Sequence, residues 1–300
     1  MTAVYVGVPK AGGELAEGAA RIAFHRLVSA NAFWDKRYQV FRQPGPHAWK
    51  GAVALDSAGF VAMKAGGYRW AVDDYVEFVA LTSCADRDLP GLPSPWAWWS
   101  AMDYCCEAEI ARDRSAVLGR IDRTVETLAE TLEAVDYWRE EEGVPGLLDP
   151  MPIVQGRTAE DYLRCARRLD EVLQAAGRDG LPRVIGVGSV CRRQLNGREG
   201  LVSIVKALDA ELPAGVGLHL FGVKGDVVGR LGSSLARVAS LDSMAWDFRA
   251  RKSAQEERAD GARVSNTVAR RLGFMGRWYA GQLRKVSEAS RPPAQLSLVG

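Results

Sequence analysis

The sequence predicts an α/β fold, a (β/α)8 TIM-type barrel with an Arg-rich helical segment at its C-terminus, on three observations. Six β-like runs, LDSAGF, WSAMDYCCE, PIVQG, VIGVGSV, LHLFGV and ASLDSMAW, follow one another between residues 55 and 246, each ending in a carboxylate, an amide or glycines. Most are separated by a stretch of helical periodicity, the unit of parallel α/β architecture, in which chemistry collects at the C-terminal ends of the strands. A chain of 300 residues with 47% hydrophobic content can also bury one large core. An open doubly wound sheet is the alternative arrangement of such units. No GxGxxG or GxxxxGK[ST] loop follows any of the runs, which argues against a dinucleotide or nucleoside triphosphate cofactor.

In chain order, residues 3–8 read as a strand and residues 12–32 as a loop followed by a helical segment. A short strand over 53–55 ends at Asp56, and the DDYVEFVAL stretch after Val72 has helical spacing. Residues 88–95 form a Pro/Gly-rich loop leading into 97–104. The longest helix is expected over 115–140, where Leu118, Ile121, Val125, Leu128, Leu132 and Val135 recur at three and four. Strand-like residues 152–155 precede a helix over 158–176, with Thr158 as N-cap and Asp161 three residues on. Strands over 184–190, 217–223 and 239–242 complete the series, with a helix over 200–208 between the first two. Residues 253–290 read as one long cation-rich helical stretch, so the chain divides into a barrel over 1–252 and a helical extension over 253–300 packed on or beside it.

The net charge of +2 is too mild to indicate a nucleic-acid partner, so any such footprint must come from clustered cations. The five cysteines, Cys84, Cys105, Cys106, Cys165 and Cys191, form no CxxC pair and have only His25, His47 and His219 to join them. Neither a zinc site nor a disulfide framework is expected. The first residues, MTAVYVGVPKAGG, lack a basic segment followed by an apolar run, and no stretch approaches the roughly 18 apolar residues of a membrane span. A reduced, cytoplasmic setting without membrane contact is the expectation.

Asp56, Asp103 and Asp242 each follow an apolar run, and burying a carboxylate at a strand end is costly without a partner. Singly, each reads equally well as a cap or turn residue; three on one rim point to a site. Carboxylates without a metal suit retaining glycosyl transfer, one as nucleophile at an anomeric carbon and another handling protons. Gln155 offers a donor and an acceptor to a heterocycle edge, and the backbone around 186–189 can approach a flat ligand closely. Phe60 and Phe221 could sandwich that ligand or simply pack the barrel, and Trp96, Trp98 and Trp99 read first as core.

Taken together, these motifs resemble the tRNA-guanine transglycosylase superfamily, and within it the deazapurine-in-DNA branch, over roughly residues 28–251. LDSAGF is similar to the DSGGF/Y motif, MDYCCE to the second aspartate motif in its D-x-x-C-E form, and IVQG to the glutamine motif. VGSVCRR, LHLFGVK and LDSMAW, followed by Arg249 and Arg251, look like the branch's own signature. The resemblance implies Asp242 as the nucleophile at C1′ of the target nucleoside, and Asp103 as the binder of the purine edge, aided by Gln155, Gly188 and Ser189. It implies Asp56, with Ser57 beside it, as the group taking the proton from N9 of the incoming base, and Phe60 and Phe221 as the stacking residues.

The function so implied is exchange of guanine in DNA for a 7-deazaguanine, such as 7-cyano-7-deazaguanine, through a covalent aspartyl-glycosyl intermediate and without a cofactor. Relatives acting on tRNA hold zinc through three cysteines and a histidine after the nucleophile strand; here no cysteine follows Cys191, so no metal is expected. Arg249 and Arg251 and the Arg-rich tail, with Arg270 and Arg271, stand as a candidate surface for DNA backbone contact in place of a zinc-supported one. A partner ATPase or helicase that opens the duplex is compatible with this reading. The competing readings are a tRNA transglycosylase, a noncatalytic barrel that binds a nucleobase or nucleic acid, and a barrel hydrolase acting on nucleosides. Asp247, close behind Asp242, is read as a turn or cap residue.

Overall fold

Eight parallel strands curl into a single sheet in the computed structural model, which describes residues 2–10, 12–44, 51–83, 96–223 and 225–290. The strands are β1 (Ala3–Val8), β2 (His25–Ser29), β5 (Ala52–Asp56), β6 (Trp96–Trp99), β7 (Ile153–Val154), β8 (Val184–Val187), β9 (Gly217–Leu220) and β10 (Val238–Ser243). A separate two-residue hairpin is made by β3 (Trp34–Asp35) and β4 (Val40–Phe41). The spatial order β6-β5-β2-β1-β10-β9-β8-β7 follows the chain around the ring. The two edges meet: a parallel bridge joins Ser100 to Met151, with Ala101 N donating to Met151 O (3.0 Å) and Met151 N to Trp99 O (2.7 Å). This is the α/β architecture expected, in the manner of a TIM-like barrel.

Period-two alternation separates the two cores. Val4, Val6, Val53, Leu55, Ile185, Val187, Leu218, Leu220 and Leu241 face the helices and build the large apolar layers between sheet and helices. Tyr5, Leu27, Ala54 and Trp98 face inward. The tryptophans show how register decides this. Consecutive Val53 and Ala54 pair with Trp96 and Trp98, so Ala97 is an extra, exposed residue, as in a β-bulge. Trp96 and Trp99 therefore pack outward with Phe78 and Tyr75, while Trp98 turns into the barrel.

The outer layer contains α1 (Glu14–Ile22), α2 (Gly59–Lys64), α3 (Val72–Ser83), α4 (Arg114–Glu140), α5 (Ala159–Ala175), α6 (Leu201–Glu211), α7 (Ala245–Ala259) and α8 (Val268–Ala289). Helix α5 starts as its sequence predicts. Thr158 Oγ1 accepts from Asp161 N, and Asp161 Oδ2 accepts from Thr158 N at 3.0 Å, a reciprocal capping box. Between β9 and β10 the described residues form two 3-10 turns, Gly225–Arg230 and Gly232–Arg237, and α8 packs against the first of them, α1 and β1. A Cβ on Gly18 of α1 would lie 2.4 Å from Leu272 Cδ1, so the glycine permits this close helix approach.

Some expected boundaries need correction. The segment read as loop and helix over 12–32 contains strand β2. The single helix expected over 253–290 is two, broken between Ala259 and Val268, where Gly261 takes φ +91° and Thr267 caps α8. The strands expected over 184–190 and 217–223 end at Val187 and Leu220. The division drawn at 252/253 falls inside α7. His47, Cys84 and the loop at 88–95 lie outside the described residues. Among the described residues no helix is long and apolar enough to cross a membrane.

Candidate active site

Because all eight strands run parallel, their C-terminal ends share one rim. Asp56 ends β5, Asp103 follows β6, Gln155 directly follows β7, Gly188 and Ser189 follow β8, Phe221 follows β9, and Asp242 stands at the end of β10. The apolar alternation that faces Leu55 and Leu241 outward turns their neighbours Asp56 and Asp242 inward.

One side of the rim is a closed hydrogen-bond network. Asp103 Oδ1 accepts from Ser57 Oγ (2.8 Å) and Oδ2 accepts from Gln155 Nε2; Gln155 Oε1 accepts from Ser189 Oγ, which itself accepts from Cys106 N (2.6 Å). Tyr68 holds the backbone of Asp103 from both sides, accepting from its N–H (3.0 Å) and donating to its carbonyl (2.9 Å). Tyr162 donates to Gly188 O at 2.7 Å.

Two glycines make room for this network. A Cβ on Gly188 would lie 2.1 Å from Gln155 Nε2, and one on Gly59 would lie 2.5 Å from Asp103 Oδ1. Ala58, where the resembled motif carries glycine, takes φ +74°, a conformation that glycine adopts without strain. Burial pushes the Asp103 carboxyl up to about 6, against the opposing hydrogen bonds of Ser57 and Gln155.

The other side is sparsely partnered. Asp242 Oδ1 accepts from Gly222 N at 2.8 Å, and Oδ2 has no hydrogen-bond partner among the described residues. His219 Nε2 lies 3.4 Å from Asp242 Oδ1 without a hydrogen bond, while its Nδ1 is 2.7 Å from Ser240 Oγ. Burial, then the negative charges of Asp103 and Asp242, push Asp56 up to about 7. The floor beneath is aromatic: Tyr5, Trp98, His219 and Phe221 meet edge to face or tilted, at centroid distances of 4.5–6.1 Å, and Trp98 Nε1 donates to Tyr5 OH at 3.0 Å.

Phe221 belongs to this floor, whereas Phe60 packs with Ala62, Met63 and Cys105 at α2, beneath the Arg192 guanidinium at 4.8 Å. Of the C-terminal arginines, Arg249 lines a cavity of about 480 Å³ between α7 and α8. Arg270 is bound to Glu257 and Ser253, Arg271 to Asp247 (2.7 Å), and Arg251 also reaches Asp247 (3.2 Å). Asp247 is thus the buried partner of two arginines; the N-cap of α7 is Met244.

Residue-type reasoning passed over Tyr68, His219, Tyr162 and Arg193. Arg193 spans two loops, donating to Ser189 O (2.6 Å), Gly156 O (2.6 Å) and Arg157 O (2.5 Å). His219 sits inside the quoted LHLFGV run, where its inward register between two outward leucines was the available signal. Tyr68 has no such signal, lying between α2 and α3 in no motif.

The chain after β10 carries no cysteine or histidine, and α7 and α8 are joined by arginine–carboxylate pairs. Among the described residues no three of His, Cys, Asp and Glu are arranged to hold a metal.

None of the curated proteins matches this sequence. A family model described as DeoxyPurine in DNA protein A matches residues 21–295, a span that takes in every rim residue named above. With its aspartates, glutamine and glycines gathered on one rim of a parallel sheet, the chain belongs to the DpdA family.

Proposed function

We propose that this protein exchanges guanine in DNA for a 7-deazaguanine base by two displacements at C1′. One observation carries the proposal: three carboxylates from β5, β10 and the loop after β6 converge on one rim, close enough that the charges of Asp103 and Asp242 add to burial in pushing Asp56 up to about 7. Asp242 Oδ2, the unpartnered oxygen, attacks C1′ as the C1′–N9 bond breaks, giving a glycosyl ester. The departing guanine takes a proton at N9 from Asp56, whose value near neutrality suits both giving and taking one. The deazaguanine then enters and returns a proton to Asp56. Its freed nitrogen attacks C1′, Asp242 leaves, and configuration is retained.

Asp103 accepts hydrogen bonds from the N–H groups of the base edge, and Gln155 and the Gly188–Ser189 backbone complete the contact. Phe221 and Phe60 supply apolar surface from opposite sides. No cofactor is needed, since the glycosidic bond energy is conserved across the exchange.

The test is mass spectrometry of nucleosides from DNA and tRNA of cells that express the protein with a 7-deazaguanine supply, with Asp242→Ala as control. A deazaguanine deoxynucleoside present only with the intact protein is the expected result. Modified tRNA alone would transfer the proposal to the RNA substrate, and free base released without exchange would make the protein a hydrolase.

A further inference from the structure

Helix α7 begins directly after the strand that carries Asp242, and its exposed ridge is unlike the rest of the rim. Met244 is 39% exposed and Phe248 65% exposed, one turn apart on one face; Arg251 and Lys252 follow on the same exposed side. Phe248 makes no ring contact with any described residue, and exposing so large an apolar side chain beside cations on a functional rim marks an interaction surface.

The helix beneath is rigidly held. Trp246 Nε1 donates to Gly7 O at the end of β1 (3.0 Å), Asp247 binds Arg271, and Glu257 binds Arg270. Met244 lies across β1, its Cγ 2.4 Å from where a Cβ on Gly7 would stand. Behind the ridge, Arg249 and Arg277 line the cavity between α7 and α8 and form no ion pair among the described residues; Arg277 lies over the Phe274 ring at 4.7 Å, and the Glu256 carboxylate in the same lining pairs with Lys252. Positive charge left unpaired beside exposed apolar side chains complements a duplex whose stack has been opened: phosphates meet the arginines and base faces meet the phenylalanine.

We propose that α7 is the duplex-opening element of this protein. Phe248, supported by Met244, enters the base stack at the place vacated by the target guanine, while Arg249 and Arg277 hold the flanking phosphates. This rests on the reading of Asp242 as the nucleophile toward DNA. An enzyme that works on C1′ of a stacked nucleotide must rotate it out of the helix, and a rigid apolar wedge offsets the lost stacking. In this arrangement Arg270 and Arg271 fix the wedge to α8.

Two measurements test the proposal. In the first, transfer of labelled deazaguanine is compared for a G·C pair in duplex DNA and for the same guanine in a single strand, using Phe248→Ala and Phe248→Trp. Phe248→Ala is expected to lower duplex transfer about tenfold or more and single-strand transfer less than about threefold, with Trp restoring the duplex rate. Equal losses on both substrates, or none, would overturn it.

In the second, 2-aminopurine is placed next to the target guanine and its fluorescence is read on binding, without turnover. Wild type should brighten the probe and Phe248→Ala should not. Brightening without transfer keeps the wedge and sinks the catalytic reading. An unchanged probe with wild type sinks the wedge. A wild-type dimer that Phe248→Ala dissolves would likewise overturn it, assigning the ridge to self-association.

Discussion

The two sides of the rim treat their carboxylates in opposite ways. Around Asp103 both oxygens, the backbone N–H and the carbonyl are all engaged, by Ser57, Gln155 and Tyr68. Around Asp242 one oxygen has a single backbone donor and the other has none among the described residues. A group that must recognise a flat edge gains from being locked in place, because preorganised dipoles cost nothing to reorganise at the moment of reaction. A group that must form a bond keeps its reactivity by leaving a lone pair unclaimed. Asp56 is the carboxylate that burial, and then the negative charges of Asp103 and Asp242, push up to about 7.

The sharpest way to break this contrast is Asp242→Asn. Transfer should fall by about 10⁴-fold or more and the covalent protein–DNA adduct should vanish from denaturing gels, with the thermal midpoint little changed. An adduct that persists would move the nucleophile elsewhere on the rim.

Next in size is the locked side. In Gly188→Ala the new Cβ falls 2.1 Å from Gln155 Nε2, so the amide must leave Asp103. The KM for the free base should rise about 10–100-fold with a smaller change in kcat. An unchanged KM would show that this network does not hold the base.

Asp247→Asn separates the buried ion-pair partner from the nucleophile that precedes it. It leaves Arg271 and Arg251 without their carboxylate and should lower unfolding free energy by about 1–3 kcal/mol in urea titrations, while covalent trapping survives. Loss of trapping with stability intact would reverse the roles of Asp247 and Asp242.

The smallest effect concerns pH. The Asp56 carboxyl stands at about 7 against an ordinary 3.8, so the fold prefers its protonated form. The stability this confers is complete below the ordinary value and is lost as pH rises through about 7. Asp56→Asn should therefore stabilise the protein by about 1–2 kcal/mol at high pH and little in acid, read as a difference in thermal midpoint between the two conditions. In the wild type the chemical step that takes up a proton should gain speed as pH rises toward neutrality. A flat pH–rate profile would remove Asp56 from proton transfer.

Much of the site was legible because strand ends punctuate a sequence. Asp56, Gln155 and Asp242 each terminate a short apolar run, and the reading of Thr158 and Asp161 at the start of α5 needed only local capping chemistry. Strand β2, HRLVS, was hidden because five residues between a helix and a 3-10 turn hold too few periods to distinguish a strand from a continued helix. The break between α7 and α8 was marked by Asp260-Gly261 and Thr267, yet helical cations on both sides masked it.

What the sequence determined by itself is whatever depends on neighbours along the chain: alternation that makes strands, capping that starts helices, and the order of the carboxylates. What only the tertiary structure decided depends on residues far apart meeting. Tyr68 reaches Asp103, Gly222 donates to Asp242, the bulge at Ala97 turns Trp98 rather than Trp96 into the barrel, and Arg270 and Arg271 are engaged with α7. The physical reason is that hydrogen bonds and ion pairs across a closed sheet are set by register and curvature, which no local stretch of residues encodes.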